Sequence, residues 1–225
     1  MKKINTILAA VGALLMLSVT GANSVEFKAG ISANGMAAYA NAQEKLKDSA
    51  RVSNEERVLA TSYESGFLEV GSEELMGLSL GISYAPDIAD LDTETRVIQP
   101  SATGDSGTQL VAANIVDMVE VYATLPIGEG AYVKAGYIQA TLTTEENLVT
   151  GSKYENIDLS GTQVGAGYEG SLGDMAFWRA EGSYQMFDDI SANGSESNTT
   201  TDTSKNKIEA ELGSVTGTLS VGMKF

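Results

Sequence analysis

Two basic and two acidic side chains lie at alternate positions inside otherwise apolar segments, where opposite charges could neutralise one another. They are Glu120, Lys134, Arg179 and Glu181. An unpaired buried charge is costly, so such groups must pair and hydrogen-bond. We therefore predict one interior charge network of these four residues. The alternative is that some of them face residual water and contribute little.

Catalysis has few possible carriers, because the sequence contains no His and no Cys. A Ser-His-acid triad and a His-based acid–base pair are therefore excluded, as are a disulfide framework and a thiolate metal site. The remaining carboxylate pairs, Glu145 with Glu146 and Asp188 with Asp189, fall in predicted loops or at strand ends. Paired acids in such places are usually solvated, so we predict no catalytic residue and no enzymatic activity.

The segment Gly165-Ala-Gly167-Tyr-Glu-Gly170 has the spacing of a dinucleotide-binding fingerprint. That motif functions where a strand leads into a helix amino terminus that holds a pyrophosphate. Here the segment ends one predicted strand and leads to another. The glycines are better explained as small inward residues that leave room for bulky neighbours, and no cofactor is predicted.

An acidic cluster lies in a long polar segment and consists of Asp87, Asp90, Asp92 and Glu94. Calcium and magnesium prefer oxygen ligands of this kind. The spacing is not that of an EF-hand loop, so the simpler interpretation is a solvated acidic loop. A divalent-cation site is the alternative.

Strands must position these residues, because apolar and polar residues alternate with period two along the chain. The last segment, 214–225, has apolar residues at odd positions up to Phe225 and polar or small residues at even positions. Eight such segments are separated by long and short connections in strict alternation. The long connections are predicted as loops at about 40–61, 86–113, 145–157 and 188–206.

This pattern predicts an all-β fold: an eight-stranded antiparallel up-and-down transmembrane β-barrel. Membrane barrels carry short turns on one side and long loops on the other, whereas a soluble sandwich has no reason to keep that order. The outward rows hold almost no charge, and a charge at mid-bilayer there would cost about 2–4 kcal/mol.

Aromatic residues are predicted to gather in two girdles at headgroup level. One girdle comprises Phe27, Tyr168, Trp178 and Phe225, and the other Tyr39, Tyr63, Tyr84 and Tyr184. The alternative is that they are ordinary core aromatics of a water-soluble barrel.

The amino-terminal segment 1–24 has the layout of a secretory signal peptide, with a transmembrane anchor as the alternative. Removing it leaves 12 basic and 30 acidic residues in the barrel segment 25–225, a net charge of about −18. A chain this acidic has no basic stripe with which to bind nucleic acid.

The alternating strands and the terminal Phe225 resemble the OmpA/OmpX/opacity-type outer-membrane barrels of Gram-negative bacteria. The hairpin 165–187, with an inward Arg and Glu before an aromatic residue, resembles that family's penultimate hairpin. The resemblance covers the barrel only, without a peptidoglycan-binding domain. It implies a bacterial outer-membrane location, with Phe225 as the signal read by the barrel assembly machinery.

The resemblance further implies contact with the bilayer and lipopolysaccharide, and a structural, adhesin or receptor role through acidic surface loops. Divalent cations and phage or host surface ligands are the partners those loops suggest. A narrow porin-like channel for small solutes or ions is the alternative function, and a secreted lipocalin-like ligand-binding barrel is the third.

Overall fold

A computed structural model describes residues 25–45, 52–98, 107–147, 155–194 and 207–225. The predicted signal peptide at 1–24 lies outside these described residues. Nine strands follow one another along the described chain, with a single turn of 3-10 helix, Glu73–Leu75, between the second and the third. The strands are β1 (Val25–Lys45), β2 (Val52–Ser72), β3 (Leu78–Ile98), β4 (Gly107–Pro126), β5 (Ala131–Asn147), β6 (Ile157–Ser171), β7 (Ala176–Phe187), β8 (Ile190–Asn193) and β9 (Lys207–Lys224).

Eight of the strands close into an antiparallel barrel, which confirms the predicted fold class. Neighbours in sequence are neighbours in the sheet, and β1 pairs with β9 to complete the circle. The four-residue β8 continues the direction of β7 and pairs with the upper part of β9. Following paired residues once round the barrel from Ala29 leads back to β1 at Tyr39, ten residues farther along. This stagger is the shear that tilts the strands of a closed barrel.

Side chains sort to the two faces of the wall as the alternation predicts. Polar residues of the last strand such as Ser214, Thr216 and Ser220 are buried in the lumen, whereas the intervening Leu219 and Val221 are at least half exposed on the outside. The outward residues of the other strands are also largely apolar in the middle of the barrel. The exterior is thus more apolar than the interior, the reverse of a water-soluble barrel.

The strands continue well beyond the predicted loop boundaries, so the loop prediction was too long at most ends. β1 and β2 pair as far as Lys45 and Val52, and β3 and β4 as far as Ile98 and Gly107. Residues 145–147 belong to β5, and 190–193 form β8. These polar segments lack apolar alternation, but backbone hydrogen bonds extend a ladder whatever the side chains. A membrane strand needs only about 9–11 residues, so the strands project past one rim.

A β-bulge in β4 changes which face its residues occupy. The pairing shifts between Val116 and Val119, and Asp117 adopts a left-handed φ of 55°. Ile115 and Val119 are both apolar and an even number of residues apart, so unbroken alternation predicts the same outward face for both, but Ile115 faces the interior. The extra residue of the bulge reverses the alternation, and the Asp117 carboxylate accepts a hydrogen bond from the Tyr84 hydroxyl.

The hydrogen-bonded wall separates between β2 and β3 near the rim from which the strands project, called the projecting rim below. Within the described strands, β2 pairs with β3 only from Gly66–Tyr84 to Ser72–Leu78, although both continue farther. That ladder stops close to Pro86, which has no N–H to donate to it. A register shift in β3 follows directly after Asp87. The strands stay in reach of one another, since the Thr61 hydroxyl donates to the Ile88 carbonyl at 3.1 Å.

Above this point two groups of strands face each other across an apolar interior. Its buried members, called the apolar lid below, are Met36, Ala38, Tyr63, Ala85, Ile88, Ala89, Ile115, Met118, Ala140 and Leu159.

Among the described residues, none of the helical structure is long and apolar enough to cross a bilayer.

Candidate functional site: the barrel lumen

Arg179 occupies the lumen near the short-turn rim and binds two carboxylates. Its guanidinium donates to both oxygens of Glu69 at 2.5 Å, and its Nε donates to Glu169 at 2.8 Å. Lys28 donates to the other side of Glu169 at 2.9 Å. Alternation turns all four side chains inward, and we call this set the Arg179 layer. The aromatic rings of Phe67 and Phe177 enclose the guanidinium, with centroids 5.4 and 5.0 Å away.

A second set of charges, the Lys134 layer, lies deeper in the lumen. Lys134 donates to Glu120 and Glu181, each at 3.1 Å, and its ammonium lies 4.2 Å from the centroid of the Tyr122 ring. The Tyr122 hydroxyl donates to Glu69 at 2.7 Å. The Tyr122 ring therefore links the two layers, through a cation–π contact to Lys134 and a hydrogen bond to Glu69.

The structure divides the four residues predicted to form one cluster. It brings Lys134 together with Glu120 and Glu181, whereas Arg179 pairs with two residues outside the prediction, Glu69 and Glu169. Lys28 is also part of the network and outside the prediction. The signal that could have found these three is their inward parity, since each alternates with the outward apolar residues of its strand.

The charge network leaves almost no open space in the lumen. The central cavity has a volume of about 40 Å³ and lies among hydroxyl, amide and charged side chains of both layers. Above it, Gln185 donates to Gln163 at 2.9 Å and accepts from Ser214 at 2.7 Å. The apolar lid follows directly. A few water molecules fit in such a volume, so side chains fill most of the lumen between the two charge layers.

Several glycines of the wall lie directly against aromatic rings, in space that a Cβ would occupy; we call these positions glycine seats. A Cβ on Gly30 would lie 2.5 Å from the Phe67 ring, and one on Gly81 would lie 2.4 Å from the Tyr122 ring. In the segment with the dinucleotide-binding spacing, Gly167 lies under Tyr132 and Gly170 under Trp178. This segment is part of β6 and leads through a tight turn into β7. The glycines therefore serve packing, but the prediction that they face inward was wrong for Gly170, which lies on the outer face beneath Trp178.

The residues of the predicted girdles lie on the outer surface with one exception. Phe27, Tyr168 and Trp178 are exposed near the short-turn rim, and Tyr84 and Tyr184 are exposed nearer the projecting rim. The rings of Tyr168 and Trp178 pack with centroids 5.8 Å apart. Tyr63 was expected in the second girdle but faces the lumen, because it shares the inward parity of Phe67. Outward Tyr137 takes a similar exposed position.

Phe225, the predicted assembly signal, closes the seam between the first and last strands. Its N–H donates to the Phe27 carbonyl at 2.9 Å, and its carbonyl accepts from the Phe27 N–H at 3.2 Å. Its side chain is exposed on the outer surface. Its role in assembly stays a prediction.

The acidic cluster of 87–94 lies on the projecting part of β3, not in a loop. Asp87 is exposed, whereas the side chains of Asp90, Asp92 and Glu94 lie outside the described part of the structure. Among described side chains, no group of three or more acidic residues is arranged to hold a metal ion. A cation site on this strand stays a prediction.

An exposed ion-pair cluster joins β1 and β9 near the tips of the projecting strands. Glu209 accepts from Lys45 at 2.7 Å and from Lys207 at 2.6 Å. The hydrogen bonds from Lys207 and Lys45 lower the pKa of Glu209 to about 2. A carboxylate whose folded pKa is depressed contributes stability above its unfolded pKa and loses it as the pH falls through the folded value.

We expect the Glu209 carboxyl carbon to titrate near pH 2 in NMR spectra of the refolded barrel. Pairing at the β1–β9 tips should weaken between roughly pH 4.3, the ordinary value for Glu, and pH 2. Lys207→Ala should raise the pKa towards the ordinary value. An unchanged titration in that variant would contradict the ion-pair assignment.

Comparisons with known proteins find solved structures of outer-membrane proteins. The structure of the outer membrane protein OprG from Pseudomonas aeruginosa matches with a TM-score of 0.58 at 12% identity, over 90% of this chain and 96% of that one. The Escherichia coli outer membrane protease OmpT matches at 0.46 and 12% identity, over 92% and 100%. The attachment invasion locus protein Ail of Yersinia pestis matches at 0.39 and 13%, over 88% and 99%. No protein-family model matches the sequence, and no curated protein is significantly similar to it.

The chain thus has the fold of a bacterial outer-membrane β-barrel, carried by the match to OprG and by the closed eight-stranded wall. Its apolar exterior is a surface that a bilayer can solvate, and a closed barrel leaves no open sheet edge at membrane depth.

Proposed function

We propose that the protein is a sealed outer-membrane barrel that anchors and presents its projecting acidic strands at the cell surface. The observation that carries this proposal is the lumen, in which two charge layers and the apolar lid leave a cavity of about 40 Å³. A diffusion channel needs a continuous aqueous path. The sealed lumen therefore favours a surface role over the narrow-channel alternative. The absence of His from the sequence supports a non-enzymatic role.

The charge of the projecting side supports a role in binding cationic partners. The segments 86–113, 145–157 and 188–206 together contain 12 acidic and three basic residues, whereas 40–61 contains four of each. The negative surface therefore concentrates on three of the four connections. Ligands suited to it are basic proteins and divalent cations, including those that bridge lipopolysaccharide phosphates.

Conductance across planar lipid bilayers tests the sealed lumen. We expect no large, stable current steps from the refolded protein, with a general diffusion porin measured alongside as a positive control. The triple variant Lys134→Ala, Glu120→Ala, Glu181→Ala removes one layer without leaving a charge unpaired. It should remain sealed, because the Arg179 layer and the apolar lid persist. Large stable channels from the unaltered protein would contradict the proposal and favour the channel alternative.

A further inference from the structure

The three short turns carry exposed apolar side chains where a purely aqueous rim would carry polar ones. Each of these side chains, together with that of the carboxyl-terminal residue, is at least half exposed. They are Leu75 and Met76 in the β2–β3 turn, Ile127 in the β4–β5 turn, Leu172 and Met175 in the β6–β7 turn, and Phe225 at the end of β9. We call this set the turn ring.

Backbone hydrogen bonds hold the turns in defined conformations. The Ile127 N–H donates to the Ala131 carbonyl at 2.9 Å, and the Leu172 N–H donates to the Ala176 carbonyl at 2.7 Å. In the first turn, Met76 takes a left-handed φ of 59°. The apolar side chains are therefore presented by ordered backbone.

The distribution of the turn ring indicates what covers it. Its members occur at all three turns and at the β1–β9 seam, so they surround the barrel instead of forming a patch on one side. In the β6–β7 turn, Leu172 and Met175 directly follow and precede the strands that carry the outward Tyr168 and Trp178. A protein partner would cover one side, whereas the headgroup layer of a membrane leaflet surrounds the whole barrel. These features favour lipid.

Carboxylates accompany the apolar side chains at every one of these places. Glu73 and Glu74, Glu129, and Asp174 are exposed in the three turns, and the terminal carboxylate belongs to Phe225. The basic residues of the described chain near this rim are Lys28, Lys224 and, inside the lumen, Arg179. Lys28 pairs with Glu26 and Glu169, and Arg179 pairs with Glu69 and Glu169. An acidic rim repels anionic headgroups and attracts headgroups that end in an ammonium group.

We propose that the turn ring binds the headgroup layer of the leaflet on the short-turn side and prefers lipids with a primary ammonium headgroup. The apolar tips enter the boundary between headgroups and acyl chains, and the carboxylates pair with the ammonium groups. The inference rests on the membrane placement proposed above. Its probe is phosphatidylethanolamine.

Trp178, the single tryptophan of the chain, lies three residues from Met175 and reports on adjacent lipid. The full-length chain is refolded into phosphatidylcholine vesicles containing equal mole fractions of dibrominated phosphatidylethanolamine or dibrominated phosphatidylglycerol. We expect Trp178 quenching to give about fivefold stronger association with the ethanolamine lipid. The variant Glu73→Gln, Glu74→Gln, Glu129→Gln, Asp174→Asn should bring the ratio close to one, whereas Glu55→Gln, Glu56→Gln on the opposite rim should leave it unchanged.

The outcomes separate the two proposals. Equal quenching by both brominated lipids in the unaltered protein would overturn the headgroup preference alone. Quenching by neither would contradict the membrane placement.

Because the chain lacks Cys, Ile127→Cys and Glu56→Cys can each carry one environment-sensitive fluorophore. Blue-shifted emission is expected at position 127 and not at 56, and water-like emission at 127 would overturn insertion of the turn ring.

Discussion

Replacing Arg179 with Ala should destabilise the barrel by about 3–5 kcal/mol, the usual cost of removing one partner from a buried ion pair. Its partner Glu69 has no solvent-exposed side-chain surface, so the carboxylate left behind cannot be hydrated. Glu169 would retain Lys28 and is affected less. The measurement is urea unfolding in lipid vesicles, followed by circular dichroism and by the heat-dependent gel shift of folded barrels. Fluorescence is avoided, because Trp178 adjoins the altered residue.

A second variant distinguishes an unpaired charge from lost packing. Arg179→Met with Glu69→Gln removes both charges of the pair while keeping long side chains. It should recover part of the loss, because a buried pair replaced by uncharged groups is often close to neutral. The exposed turn residue Glu129 provides a control, and Glu129→Gln should stay within about 0.5 kcal/mol of the unaltered protein. A fully folded, equally stable Arg179→Ala barrel would show that the network does not stabilise the fold.

The strands and their facing could be predicted because alternation is a local property of the chain. A stretch such as 214–225 displays both faces within twelve consecutive residues, so its place in a barrel wall needs no distant information. The same holds for the girdle residues Tyr168 and Trp178. The fold class was therefore accessible from the sequence.

The partners inside the lumen depend on register and stagger, which no local pattern contains. Arg179 on β7 and Glu69 on β2 are 110 residues apart in sequence. They pair because the closed wall places these two residues at the same level along the barrel axis. Counting inward charges identified Arg179 but grouped it with Glu120 and Glu181, which pair with Lys134 instead. In the segment 63–70, apolar and polar residues occur at both odd and even positions, so its facing is ambiguous and Glu69 was missed.

Local irregularities account for the remaining differences. The bulge at Asp117 places Ile115 in the apolar lid instead of on the outer face. Asp117 interrupts the apolar row in the sequence, but such an interruption does not by itself reveal that the facing reverses. The long extensions of β1–β4 were predicted as loops because their side chains are polar on both faces. Their pairing comes from the backbone, which the side-chain pattern does not report.

The glycine seats give a second large effect, and β1 carries both the test position and its control. Gly30→Ala would place a Cβ 2.5 Å from the Phe67 ring and 2.5 Å from the Val221 carbonyl oxygen, whereas a Cβ on Gly35 would meet nothing within 4 Å. Overpacking a filled interior costs about 1–3 kcal/mol, so Gly30→Ala should lower stability by that amount in vesicle unfolding. Gly35→Ala should be neutral or slightly stabilising, because Gly in a strand interior is unfavourable.

The contact partner supplies the decisive variant. Phe67→Leu in the Gly30→Ala background should relieve the clash with the ring while leaving that with the Val221 carbonyl. The cost of Gly30→Ala should therefore be smaller, though not zero, when position 67 is Leu. Phe67 also encloses the Arg179 guanidinium, so a displaced ring would disturb the ion pairs beneath it. If Gly30→Ala and Gly35→Ala were equally stable, the close contact between Gly30 and the Phe67 ring would not contribute to stability. The lumen would then be packed less tightly than the distances around Gly30 indicate.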